Sequence, residues 1–220
     1  MIVDRPSTLM TSDCCKCGFA LADVIFVIDQ SESISEDNFK KIKNFMKKLS
    51  GQMDHRGTTR IGSVSYNHFT FINFHLDAFT QANEILKAID DIPYRRGSTN
   101  TAAGIKVAHD EMFIPSKGDR ADAPDIMIVM TDGQSDDPVN TANQAKIAHN
   151  DNIRTVVIGI GEAVNITELQ LISSNPAEDL FLAKNFDCSS RRYHRIYLYY
   201  HVPRSPDPTN EPVSVWRQSI

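Results

Sequence analysis

The chain carries 220 residues, 41% of them hydrophobic and 23% charged, a balance normal for a globular protein. Its formal net charge is −5, so nothing in the charge points to nucleic acid as a partner. No apolar stretch approaches the length of a membrane span, and membrane insertion is not expected.

One domain with short extensions is expected at this length. Residues 1–11 show no apolar core of the signal-peptide kind, which leaves three readings open: a signal already removed, a fragment, or a cytosolic protein. Cys14, Cys15 and Cys17 come next, and the fourth cysteine, Cys188, lies far downstream. Cys14 and Cys17 form a C-x-x-C, but no second pair completes a zinc site. A redox C-x-x-C should open a helix after a strand, and this one precedes a strand.

From Ala22 a nearly continuous apolar run reaches Asp29, the pattern of a strand buried on both faces of a parallel sheet. Ser31 and Ser33 follow it. Ser35 before Glu36-Asp37 signals a helix start, and Phe39, Ile42, Phe45, Met46 and Leu49 recur at helical spacing up to Gly51. Residues 60–66 and 69–76 read as a hairpin turning at Asn67-His68, so one antiparallel edge strand is expected. Ile85, Leu86, Ile89 and Ile92 mark a second helix, stopped by Pro93. Gly97-Ser98-Thr99-Asn100-Thr101 opens a third helix running to Phe113, with small Ala102, Ala103 and Gly104 at its start. A polar loop, 115–123, leads to a second buried strand, 125–131, which ends in Thr131-Asp132-Gly133. Pro138 opens a further helix, 153–159 is a buried strand, 166–172 a short helix ended near Asn175-Pro176, and 179–183 a short edge strand. The alternation of strand and helix argues for a doubly wound α/β fold, a mostly parallel sheet with helices on both faces.

Both buried strands end in an acid, Asp29 and Asp132, where open α/β sheets place their ligands. The series Asp29-x-Ser31-x-Ser33, then Thr99, then Thr131-Asp132-Gly133 resembles the metal-ion-dependent adhesion site of von Willebrand factor type A domains, as in type VI collagen, the matrilins and integrin α subunits. The resemblance covers residues 21–187. It implies a six-stranded sheet of order 3-2-1-4-5-6 with the third strand antiparallel, and a ligand crevice where that order reverses. It also implies that Ser31, Ser33 and Thr99 bind a cation directly while Asp29 and Asp132 hold its waters. Thr101, the family's second threonine in this loop, is expected to cap the helix, and Asp136 and Asp137 to be solvated loop and cap residues. Mg²⁺, hard and reluctant to lose all its water, suits such ligands, with Mn²⁺ able to substitute. Hydroxyls neutralise little of its charge, so the ion stays free to take a Glu or Asp oxygen from a partner protein, collagen or another matrix protein. No general base stands beside the motif, so recognition is expected and not catalysis.

Three regions follow: a Cys-containing flank, 1–20; the type A domain, 21–187; and a divergent tail, 188–220. The tail is aromatic and β-leaning where the family has a long final helix, and its prolines at 203, 206, 208 and 212 suggest disorder. Type A domains often join their flanks by a disulfide, which implies a bond from Cys188 to Cys14, Cys15 or Cys17. Asn165-Ile166-Thr167 is a glycosylation sequon. The leading expectation is a secreted matrix or cell-adhesion module. The alternatives are an intracellular type A scaffold, favoured by the missing signal, and a structural module with an unused metal site. Dinucleotide binding is a further alternative: Gly159-Ile160-Gly161 follows a strand, but Val164 stands where a third glycine belongs.

Overall fold

A computed structural model describes residues 21–51, 53, 58–161 and 164–183. The four cysteines and the divergent tail lie outside the described residues, as does the suggested disulfide.

The first strand, β1 (Ala22–Asp29), is buried along its whole length, as its unbroken apolar run requires. It pairs in parallel with β2 (Thr59–Tyr66) on one side and β4 (Asp125–Thr131) on the other. β3 (Thr70–Phe74) returns antiparallel along β2, with an irregularity at Ser63/Val64. β5 (Arg154–Ile160) and β6 (Leu180–Ala183) extend the sheet in parallel on the far side. The order is therefore β3-β2-β1-β4-β5-β6.

Helices cover both faces. α1 (Glu36–Ser50) is capped by Ser35, whose side chain accepts from Asn38 N, and it buries Phe39, Ile42, Phe45, Met46 and Leu49. With α2 (Ala82–Asp90) it closes one core around Phe26, Ile28, Ile128 and Ile158. On the opposite face α3 (Thr101–Val107), α4 (Pro138–Asn150) and α5 (Ile166–Ile172) enclose Ile25, Val27, Met127, Val129 and Val157. Alternate residues of β1 and β4 thus feed opposite cores, which explains why neither strand shows an apolar–polar alternation.

The structure differs locally from the sequence reading at three places. The third helix does not run regularly to Phe113: after Val107 it widens into one π-helical turn over Ala108–Met112. Pro115–Lys117, in the polar loop, forms a single tight 3₁₀ turn ended by Gly118 at φ 95°. Pro176 starts a new helical turn, α6 (Pro176–Asp179), because its ring suits a first helical position as well as it stops a preceding helix.

Candidate metal centre

β1 sits where the sheet changes direction, flanked by β2 and β4, so the loops after β1 and β4 part at its carboxyl end. Asp29 is the last residue of β1 and is fully buried. Its two carboxylate oxygens accept from Ser31 N at 2.8 Å and from Thr131 Oγ1 at 2.7 Å. Ser31 is buried, Ser33 is exposed, and their hydroxyl oxygens lie 3.0 Å apart. Asp132 is 7% exposed and turns its own loop, accepting from Gln134 N at 3.2 Å. Gly133 follows at φ 74°, a conformation side-chain-bearing residues rarely take.

Thr99 reaches the same place from the segment before α3. Its N–H donates to Asp136 Oδ2 at 3.1 Å while Asp136 N donates back to Thr99 O at 2.9 Å, tying this segment to the loop after β4. Glu32 N donates to Gly97 O at 2.9 Å, tying it to the loop after β1 as well. All five residues singled out in the sequence therefore stand on three mutually bonded loops at one end of the sheet.

Two readings of neighbouring residues need correction. Thr101 does not cap α3: Asn100 does, accepting from Ala103 N at 3.1 Å. The Thr101 hydroxyl is instead buried beside the Tyr66 phenol. Asp137 caps α4 as expected, whereas Asp136 is not merely solvated, since it holds Thr99. Asn165 is exposed and caps α5 by accepting from Glu168 N at 3.3 Å. A Cβ on Gly159 would meet Leu169 at 2.6 Å and Leu182 at 2.9 Å, so that glycine serves packing.

Supporting residues escaped the sequence reading. Buried Asn67 accepts from Phe69 N at 2.7 Å with its side chain, receives Asn100 N on its carbonyl at 2.9 Å, and donates its amide to Arg96 O. Gln30 donates to Ser65 Oγ at 3.3 Å and accepts from Arg95 N at 3.2 Å. Tyr94 donates to Ile34 O at 2.5 Å. Glu168 takes Ser135 N, and burial with the nearby Asp132 charge raises its pKa. Apart from the Asn and Tyr residue types, no local pattern marks these side chains.

The site's electrostatics favour a cation. Burial pushes the Asp29 carboxyl up to about 6 against the hydrogen bonds from Ser31 and Thr131, and the Asp132 charge adds to the rise. Among the described residues no lysine, arginine or histidine forms an ion pair with Asp29 or Asp132. The donor set is two carboxylates and three hydroxyls, all hard oxygens, the chemistry of Mg²⁺ or Mn²⁺ and not of a thiolate-seeking metal. These residues fit the ion that the family resemblance implies.

A second acidic group, Asp23, Asp119 and Asp125, lies at the opposite end of β1 and β4. There Arg120 binds the buried Asp23 carboxylate through Nε at 3.0 Å and Nη2 at 2.7 Å. Burial and the neighbouring Asp119 push Asp125 up to about 7.

Residues 23–191 match the von Willebrand factor type A domain family. The chain belongs to that family. Human vitrin is 34% identical over 193 residues, covering 87% of this chain and 26% of vitrin. Human matrilin-1 is 33% identical over 171 residues, covering 77% of this chain and 34% of matrilin-1. The chain thus spans about a quarter to a third of the length of these two relatives. Both are structural or adhesion proteins, not enzymes. Proximal thread matrix protein 1 of the mussel byssus, solved with a zinc-occupied adhesion-site motif, superposes with a TM-score of 0.75 at 26% identity. That alignment covers 83% of this type A domain chain and 48% of the mussel protein.

Proposed function

We propose that this type A domain is an extracellular matrix or cell-adhesion module that binds a protein ligand through Mg²⁺. The observation that carries the proposal is Asp29: a fully buried carboxylate without a cationic partner among the described residues, set beside the Ser31 and Ser33 hydroxyls. Ser31, Ser33 and Thr99 would hold the ion, with Asp29 and Asp132 anchoring its waters. When bound, the ion supplies an electrophilic position for a partner's Glu or Asp oxygen. The chain's own residues do the rest. Thr131 and Ser31 N fix the Asp29 carboxylate, and Asp136 fixes the Thr99 backbone. Type A domains of matrix proteins support collagen or another matrix protein as the partner and the extracellular space as the location. Asn165, exposed at the start of α5, is accessible to the glycosylation that secretion would bring.

Calorimetric titration of metal-stripped protein with Mg²⁺ and Mn²⁺ tests the site. One-to-one binding, lost in an Asp29→Ala/Ser31→Ala variant that keeps its circular dichroism, is the expected result. A folded wild type that binds neither ion would overturn the proposal.

A further inference from the structure

One rim of the centre is built differently from the other. Before Thr99 stand Arg95 and Arg96, both exposed. Arg96 adopts φ 53°, a left-handed backbone that costs energy in a non-glycine residue, and the buried Asn67 amide bonds its carbonyl. The Arg95 guanidinium lies 4.1 Å from the centroid of the Phe71 ring, which holds it extended across β3. The turn between β2 and β3 adds Phe69, 66% exposed though its ring is large and apolar, edge-on to His68 at 4.8 Å. Ser98 Oγ meets His68 Nδ1 at 3.4 Å, so turn and loop form one surface. In the loop after Asp132 the exposed charged residues are the acids Asp136 and Asp137, and Glu32, after β1, is a further exposed acid whose N–H bonds Gly97 O.

We propose that this rim, Phe69 with Arg95 and Arg96, is a specificity surface for a protein segment bearing a second acidic residue and an apolar side chain beside the carboxylate that takes the metal. The proposal rests on the metal-dependent reading above. Charge complementarity selects the occupant. The two exposed guanidiniums of Arg95 and Arg96 receive an anion, while the exposed acids Asp136 and Asp137 of the loop after β4 disfavour one there. Exposed aromatic and arginine side chains are the residue types that dominate protein interfaces, and here the backbone beneath them is held by Asn67 and Gln30 before any partner arrives.

The test uses two short blocked peptides with Glu-Phe-Glu and Glu-Phe-Lys cores, titrated into ¹⁵N-labelled, Mg²⁺-loaded protein. Whichever glutamate of the first peptide takes the ion, the other remains for the arginines. Glu-Phe-Glu is expected to bind roughly five- to tenfold tighter, with shifts at Phe69. In Arg95→Gln/Arg96→Asn, where asparagine tolerates the left-handed backbone, the preference should vanish while calorimetric Mg²⁺ affinity stays unchanged. Equal affinity for both peptides, a preference that survives in the variant, or no peptide binding overturns the proposal. Peptide binding that chelation abolishes but the arginines do not influence leaves the metal-dependent reading standing and removes only the rim. Absence of Mg²⁺ binding in the calorimeter removes both.

Discussion

Burial sets the pH behaviour of Asp29. Its carboxyl is pushed up to about 6 in the folded, metal-free domain, above the usual 3.8, because ionisation places a charge at a buried position, with the Asp132 charge nearby. The native state therefore binds more protons than the unfolded chain between those values. Metal-free stability should fall as pH rises from about 4 through about 6, by about 3 kcal/mol from this group. Asp29→Asn should flatten that slope in urea unfolding followed across pH. A cation competes with the same proton, so Mg²⁺ affinity should climb over the same interval, read by titration at several pH values. Asp29, Ser31, Ser33, Thr99 and Asp132 could be singled out in the sequence because the two serines closely follow a strand-end acid and the whole series resembles the family motif. Asn67 and Asp136 could not. Asp136 holds Thr99 from 37 positions away, and a polar loop residue carries no mark of so distant a bond.

Elements place these residues by close contact. α3 lies on Tyr66 at Gly104, where an added Cβ would come 2.5 Å from the ring. Gly104→Ala should push the start of α3 outward, lower stability by about 2 kcal/mol, and weaken metal binding through Thr99. Thermal melts and calorimetry check the two effects together. Below that contact, His109 in the π-helical turn bonds Asp110 and, at 2.7 Å, Asp151 after α4. Burial lowers its pKa, but the hydrogen bonds and charges of the two aspartates outweigh burial and raise it above the usual 6.5. This link stabilises fully below about 6.5 and is lost as pH rises through the higher folded value. His109→Gln should remove that part of the pH dependence of the melting temperature. The helix was readable from residues 101–113, the π turn over Ala108–Met112 was not.

At the scale of the molecule the two ends of the sheet divide the work. The carboxyl end of β1 collects an uncompensated buried carboxylate, and the opposite end neutralises Asp23 with Arg120, whose side chain is 14% exposed. Arg120→Gln should cost about 3 kcal/mol in chemical denaturation, because it leaves a buried charge unpaired. At a temperature where the variant remains folded, its Mg²⁺ affinity should match that of the wild type. Coupled loss of both would mean the ends are not independent.

The sequence alone determined what is periodic or contiguous: the buried runs of β1 and β4, the amphipathic α1, the hairpin at Asn67-His68, and acids at two strand ends with serines and a threonine to match. Those features rest on local chemistry, the burial of an apolar run and the donor type of a side chain. Only the tertiary structure decided how loops far apart in the chain are bonded into one site and which glycines serve packing. It alone showed that an exposed Phe69 and two arginines stand on joined surface segments beside Thr99. Such relations arise from strand order and crossover geometry, which bring together residues that no spacing along the chain connects.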